Sequence, residues 1–470
     1  MVYKRKLPVL VTFPAILLLF LSTINNGFFW DTIQLASKHA NYYLTTDFTG
    51  ILLPDSIDSG HIPAFGIYLA FIWKIFGRSL IISHLAMLPF VVGILWQMKI
   101  LVSRFVSKEN TGWAFLLVCC DPTLLSQVTL VSPDVPLVFF FLLGLNSLLG
   151  NRKSAFSLSI LFLFLTSMRG MMVSLSFLII DIIRNIKFSK PVKEVVGSLL
   201  KRSLIYLPAF ILFISFSAYH LMQKGWIGFH DNSPWAELFE RVGFKGLIFN
   251  IGILGWRLID FGRIGIWIVF IILMIRQRGR VFKDADTRLL FLIFIILLLI
   301  LSVNMLWARN LLAHRYLLPV YISFSLLCAH ILFTYKINEK LKIMLISFWL
   351  MALMTGNLWV YPEKTAQGWD STLAHLPYYK IRKQAIDYLD RQEIDFNEVQ
   401  SFFPNNSKID YVDLNGDNRQ FADFDNSGKY VIYSNVFNIS DEDYDLIRKS
   451  YPVIKQFKRG LLYIYICKRK

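Results

Sequence analysis

Apolar residues fill the first 360 positions of this chain in long blocks, separated by short polar turns rich in Lys and Arg. Many blocks approach the ~20 residues that a helix needs to cross the hydrocarbon of a bilayer. Keeping the basic turns on one side gives eleven spans, at 8–26, 80–101, 112–132, 134–150, 154–168, 171–186, 203–222, 257–275, 288–306, 315–335 and 341–361. The turns with Lys99, Arg104 and Lys108, with Arg152 and Lys153, from Arg184 to Arg202, from Arg276 to Arg288, and with Lys336, Lys340 and Lys342 then face the cytoplasm, as the positive-inside rule requires. Lys4-Arg5-Lys6 precede an apolar run with no small-x-small cleavage site, which reads as an uncleaved first span with a cytoplasmic N-terminus.

The pattern breaks in two places. The first is a long polar loop, 27–79, holding Asp31, Asp47, Asp55, Asp58 and His61. Within it Ile62–Phe76 is apolar but short, contains Lys74 and ends near Arg78, so it is expected to lie in the interface as an amphipathic helix. A crossing there would turn every later basic cluster outward. The second break follows Pro362. Tyr378–Arg391 has helical periodicity, Tyr430–Tyr433 and Leu461–Ile466 alternate like strands, and a helix is expected around Asp441–Ser450. The fold class is therefore a polytopic α-helical membrane protein of about eleven spans. Residues 1–361 form the membrane domain, with its outer first loop at 27–79, and 362–470 a small extracytoplasmic α/β domain.

Composition sharpens this picture. Of 470 residues 55% are hydrophobic and 17% charged, with a net charge of +17. The tail from Pro362 holds 16 basic and 16 acidic residues, so the whole excess, 33 against 16, belongs to the membrane part. That distribution orients helices and argues against a nucleic-acid partner. The four cysteines show no disulfide framework and no zinc-ligand spacing.

Ionisable groups at the outer end form the short list for chemistry. Asp31 follows the first span beside Trp30, and Asp134 heads the fourth in Ser132-Pro133-Asp134-Val135-Pro136. Singly they read as a solvated loop acid and a helix cap. Together they put two carboxylates at one end of the bundle, where one can deprotonate an acceptor while the other orients it or holds a metal. Arg169, Arg257, Arg263, Arg309 and Arg315, with His61, His230 and His314, stand on the side that the positive-inside rule disfavours. A guanidinium fork suits phosphate oxygens, and is costly at membrane depth unless paired. Arg169, Arg309 and Arg315 are the candidate phosphate ligands, and His61, Trp30 and Arg257 the candidate substrate contacts. A structural ion pair of Arg169 or Arg315 with Asp134 or Asp260 is the competing reading. Asp121-Pro122 is expected to break the third span. Trp30, Trp226, Trp235 and Trp256 are interfacial anchors or sugar-stacking rings.

At these residues the chain resembles membrane glycosyltransferases of the GT-C fold, in particular the protein O-mannosyltransferases and the aminoarabinose transferases of lipid A. The resemblance rests on the first-loop Asp31, on His61-Ile62-Pro63 leading into an interfacial helix, on Asp134-Val135-Pro136, and on the late Arg315-Tyr316-Leu317-Leu318-Pro319. It departs from the family pattern where Thr32, rather than Glu, follows Asp31, and where Ile62 interrupts His-Pro-Pro. It implies a transferase of the cell envelope, in the bacterial inner membrane, that moves a sugar from a polyprenyl-phosphate donor to a lipid, protein or polysaccharide acceptor outside the cytoplasm. Asp31 would be its base, Asp134 a supporting acid, and Arg169 and Arg315 holders of the donor phosphate. No cofactor is required by the resemblance; use of a divalent metal is left open. The alternative readings are a transporter or flippase of lipid-linked saccharide, which would favour inverted repeats, and a polysaccharide polymerase or ligase.

Overall fold

In the computed structural model the chain is a helical bundle capped at one end by a small sheet domain. The structure describes all residues except 1, 187–190, 229, 231–239 and 310–312, and only the backbone of 2–7. Trp235 therefore lies outside the described residues, as do the side chains of Lys4, Arg5 and Lys6.

Each predicted span carries helix. The first is α1 (Val2–Ser22). The outer loop follows, with a π-helical turn Ile33–Lys38, α2 (His39–Thr45) and the expected loop helix α3 (Ala64–Phe76). Next come α4 (Leu80–Leu85), α5 (Leu88–Phe105), α6 (Thr111–Cys119), α7 (Pro122–Val128), α8 (Asp134–Leu149), α9 (Lys153–Thr166) and α10 (Met168–Asn185). The bundle closes with α11 (Val192–Ser203), α12 (Leu207–Lys224), α13 (Phe244–Ile259), α14 (Ile264–Gln277), α15 (Ala285–Trp307), α16 (Leu318–Thr334) and α17 (Glu339–Gly356). Among the described residues, Leu80–Phe105, Ala285–Trp307 and His314–Thr334 are long and apolar enough to cross a membrane singly, and two bent pairs, α11 with α12 and α13 with α14, pass together.

Two of the predicted spans are broken. At Asp121 the residue before proline cannot stay helical, and its carboxylate instead accepts from the Thr123 and Leu124 amides (2.9 and 3.2 Å), capping α7. That break was expected; the next was not. The predicted span 257–275 turns by 85° between α13 and α14. Phe261 and Gly262 adopt positive φ there (51° and 81°), and a Cβ on Gly262 would lie 1.9 Å from the Ala352 carbonyl oxygen. Asp260 caps the bend by accepting from the Phe261 amide (2.7 Å). Hydropathy averages over such a corner because both arms are apolar.

The tail begins with two short 3-10 turns, Trp369–Ser371 and Leu373–His375, followed by α18 (Tyr378–Arg391). Beyond it lie β1 (Val399–Ser401), α19 (Ile409–Asp413), β2 (Ala422–Asp423), β3 (Tyr430–Ser434), α20 (Asp441–Ser450), β4 (Val453–Arg459) and β5 (Leu462–Lys468). The sheet order is β2-β1-β3-β5-β4, with β1 parallel to β2 and β3, and β5 antiparallel to β3 and β4. β3, β5, α18 and α20 fall where the pattern put them.

The tail sits directly on the outer loop. Its apolar core takes in Phe29 from that loop and Leu130 from the bundle. Arg78 grips Asp410 with both terminal nitrogens, Nη1 and Nη2 (2.9 and 2.6 Å), and the Phe28 amide donates to the Val412 carbonyl (2.8 Å). From α7, Ser126 and Gln127 both donate to the Asp370 carbonyl (2.8 Å each), and Thr123 donates to that of Ser371 (3.0 Å). These contacts bring a third acid, Asp370, to the end of the bundle where Asp31 and Asp134 lie.

Candidate active site

Asp31 is set by a tight turn. Trp30 takes a positive φ of 51°, and the Thr32 hydroxyl exchanges two 2.8 Å hydrogen bonds with the backbone of Phe29. The Thr at the departure from Asp-Glu thus fixes the loop. Asp134 opens α8, and its oxygens are taken by side chains. Oδ1 accepts from Arg169 and Oδ2 lies 3.0 Å from Arg315 Nε. Arg169 sits in the first turn of α10, which Ser167 caps by accepting from the Gly170 amide (3.3 Å). Arg315 stands in the 3-10 turn His314–Leu317 just before α16.

Arg315 is the hub of the cluster. Its Nη2 donates to Asp31, its Nη1 pairs with Asp370, and its Nε faces Asp134. Three carboxylates from three distant parts of the chain thus meet one guanidinium. Arg169 adds a second cation, stacked 3.9 Å from the centroid of the Tyr316 ring, a favourable cation–π distance. Two positive charges face three negative ones. The Asp31 side chain is 27% exposed and that of Arg169 17%, against 3% for Asp134 and 7% for Asp370. The cluster is therefore open on the side of Asp31 and Arg169.

Arg169 opens onto a crevice of about 150 Å³. Ser59, His61, Arg169, Asn304 and Tyr316 form its polar end, while Leu35, Met168, Met172 and Leu301 line the rest. An amphiphile with a charged head and a greasy tail matches such a wall. His61 is held by Ser59, whose hydroxyl lies 2.8 Å from Nδ1. Burial lowers the pKa of His61, and the nearby Arg169 adds to the effect, so the imidazole stays neutral at pH 7. Asp58 orients this corner by accepting from the Gly60 amide (2.9 Å), and is itself held by His220 and Lys224 (3.1 and 3.0 Å). Gly60 (φ 70°) packs against Gly228 so closely that a Cβ would lie 1.9 Å from the Gly228 carbonyl oxygen.

Searches by sequence find no match, either to a protein-family model or to a curated protein. Comparison of the folds does. The crystal structure of ArnT from Cupriavidus metallidurans in the apo state superposes with a TM-score of 0.52, at 12% identity and over 97% of each chain. The structure of the same protein bound to undecaprenyl phosphate gives 0.51, at 11% identity and over 97% of each chain. The chain shares the GT-C fold of ArnT. Coverage of 97% means that the likeness to ArnT takes in the sheet domain as well as the bundle. With its apolar helices, this makes the chain a multi-pass membrane protein.

The structure brings Asp31, Asp134, Arg169 and Arg315 together and sets His61 beside them on the crevice. It does not gather every candidate. Arg257 belongs to a second buried group, 3.8 Å from Asp260 and 3.5 Å from His314. Arg309 pairs with Glu240 (2.6 Å) on an exposed surface. Trp30 packs edge-on against Phe403 of the tail, with ring centroids 5.4 Å apart. Asp47 and Asp55 pair with Lys74 and Lys224. Among the described residues no group of three or more His, Cys, Asp or Glu is arranged to hold a metal ion.

Sequence reasoning missed Asp370. A signal was present: Trp30-Asp31-Thr32 and Trp369-Asp370-Ser371 repeat the same aromatic, acid, hydroxyl order, each just beyond a span. It also missed the partner of Asp121. Arg263 reaches Asp121 from the bend between α13 and α14, with 2.8 Å contacts from both Nε and Nη2.

Proposed function

We propose that this chain is a membrane glycosyltransferase that takes a sugar from a polyprenyl-phosphate donor at the outer face of the membrane. The observation that carries the reading is Arg315 holding Asp31 and Asp134, beside Arg169 and a crevice that is polar at one end and apolar at the other. The undecaprenyl phosphate of the ArnT complex supports a lipid phosphate as the ligand of such a crevice.

The donor phosphate enters on the side of Arg169 and competes with Asp31 for Arg315. Asp31 is the most exposed carboxylate of the three and is the one released. Freed from its cation, its carboxylate takes the proton of the acceptor hydroxyl or amine as that atom attacks the anomeric carbon. The bond from that carbon to the phosphate oxygen breaks, and polyprenyl phosphate leaves with the electron pair. Arg169 and Arg315 neutralise the charge that gathers on it. Asp134 and Asp370 stay on Arg315 and hold its fork in place. Neutral His61 can donate a hydrogen bond to the sugar or the phosphate without adding charge. In this reading the N-terminus is cytoplasmic and the sheet domain lies outside the bacterial inner membrane, where it closes over the acceptor side.

Proteoliposomes given radiolabelled polyprenyl-phosphate sugar and a membrane extract of acceptors test the proposal. Label is expected in a new glycoconjugate, with unglycosylated polyprenyl phosphate left behind. Label that only changes leaflet, still attached to its lipid, would establish a flippase instead.

A further inference from the structure

The bundle carries a second pocket at its other end. α8 starts with Asp134 at the candidate active site and ends at Leu149, about 20 Å away at 1.5 Å per residue. α10 likewise runs from Arg169 to Asn185. Between their far ends, α9 and α11 lies a cavity of about 260 Å³.

Its lining includes four cations, Arg152, Lys153, Lys201 and Arg202, against the single carboxylate Asp181. Only Arg202 has a carboxylate partner among the described residues, donating to Asp181 Oδ1 (2.5 Å). Arg104 and Arg184 add positive charge nearby, where they hold the last carbonyls of α8 (2.9 and 2.8 Å). The first turn of α9 opens at the rim with Arg152 in the capping position and no side-chain cap, so its amides are available to an anion. Two fully buried polar atoms of the lining lack any partner: Ser147 Oγ, a donor, and Asp181 Oδ2, an acceptor. A ligand that satisfies both has an anionic oxygen next to a hydroxyl.

What lies beside the pocket identifies the source. α11 carries Val192, Val196 and Leu200, with Leu204 just past its end, at four-residue spacing and all exposed. Lys193, Lys201 and Arg202 lie off that stripe, against Glu194 as the single acid of the helix. A short helix with one apolar stripe and a basic face lies in the headgroup layer of a membrane. A phosphate reaching the pocket there comes attached to a lipid.

We infer that this pocket binds the head group of an anionic glycerophospholipid, with its phosphate on Arg152, Lys153, Lys201 and the Ser147 hydroxyl, and a head-group hydroxyl on Asp181. The inference needs only the membrane setting and does not rest on the proposed transferase activity. Phosphatidylglycerol, with a phosphodiester and a free glycerol, is the probe. Native mass spectrometry of the delipidated full-length protein in detergent should show a tight phosphatidylglycerol site and markedly weaker binding of phosphatidylcholine. At roughly fivefold per cation, Arg152→Ala with Lys201→Ala should weaken the site about thirtyfold. Both side chains are exposed, so the melting temperature without lipid should hold; if that variant does not fold, Lys153→Glu at the rim reads the same site. Equal affinity for the two lipids overturns the inference, as does affinity retained within twofold in the folded variant. Displacement of the lipid by an equal concentration of inorganic phosphate would assign the site to a free anion and overturn it too.

Discussion

Two buried arginines of this molecule are served in opposite ways. Arg263 is matched: one carboxylate, Asp121, meets it at two 2.8 Å contacts, Thr123 accepts at 2.6 Å, and the Tyr321 ring lies 3.7 Å from the guanidinium carbon. It is 2% exposed. Arg315 is shared: three carboxylates divide its donors, and one of them, Asp31, is 27% exposed. A closed one-to-one pair has no vacancy for a ligand and serves to lock the corner between α7 and α14. An arginine with more acids than it can neutralise, next to Tyr316 and Arg169 of an amphiphilic crevice, is suited to exchange one partner for a phosphate. Burial alone does not distinguish the two; the number of partners and their exposure do.

The contrast predicts different failures. Asp31→Asn should lower sugar transfer about 10²–10⁴-fold, the usual range for losing a general base, with an unchanged melting temperature. Activity within twofold of the parent would remove Asp31 from the chemistry. Asp121→Asn should act the other way, leaving Arg263 buried without its counter-charge at a cost of about 3–5 kcal/mol. It is read as a lower yield and melting temperature, with turnover per folded molecule nearly kept. An Asp121 variant that folds well but has lost its turnover would erase the distinction. Asp370→Asn lies between them, because it loosens Arg315 while leaving Asp31, the base we propose, in place. Transfer should fall about tenfold, the equivalent of one charge-assisted hydrogen bond, with the larger change in apparent donor affinity.

The smallest effect concerns the loop that carries Asp31. His39 is buried there, with Nε2 2.7 Å from the Ile57 carbonyl oxygen, and burial lowers its pKa to about 4. The unfolded loop takes up the proton first as pH falls below 6.5. Stability is therefore complete above that value, is lost between 6.5 and about 4, and levels off below. Proteolysis of the loop should accelerate across that window, and His39→Gln should flatten the response. A slope that survives in the variant assigns it to another group.

Much of this was legible in the sequence, and the gaps have physical reasons. Hydropathy located the helices because bilayer thickness forces long apolar runs, and Asp31 and Asp134 stood out as acids where such runs end. Asp370 did not, because it sits in a polar tail of 16 acidic residues, where a three-residue echo of Trp30-Asp31-Thr32 does not single it out until the tail packs on α7. Arg263 read as a general outer cation because its partner is 142 residues away and a bend, invisible to averaged hydropathy, joins them. β4 was missed for a different reason. It is an edge strand, almost wholly exposed, so Val453 to Arg459 shows no inward apolar alternation.

The central claim is that Arg315 exchanges Asp31 for the donor phosphate. The structure of the chain bound to undecaprenyl phosphate tests it most directly. The phosphate should lie within hydrogen-bond distance of both Arg169 and Arg315, with the Arg315 contact to Asp31 opened and those to Asp134 and Asp370 kept. A phosphate bound elsewhere, with Arg315 still holding all three carboxylates, would contradict it.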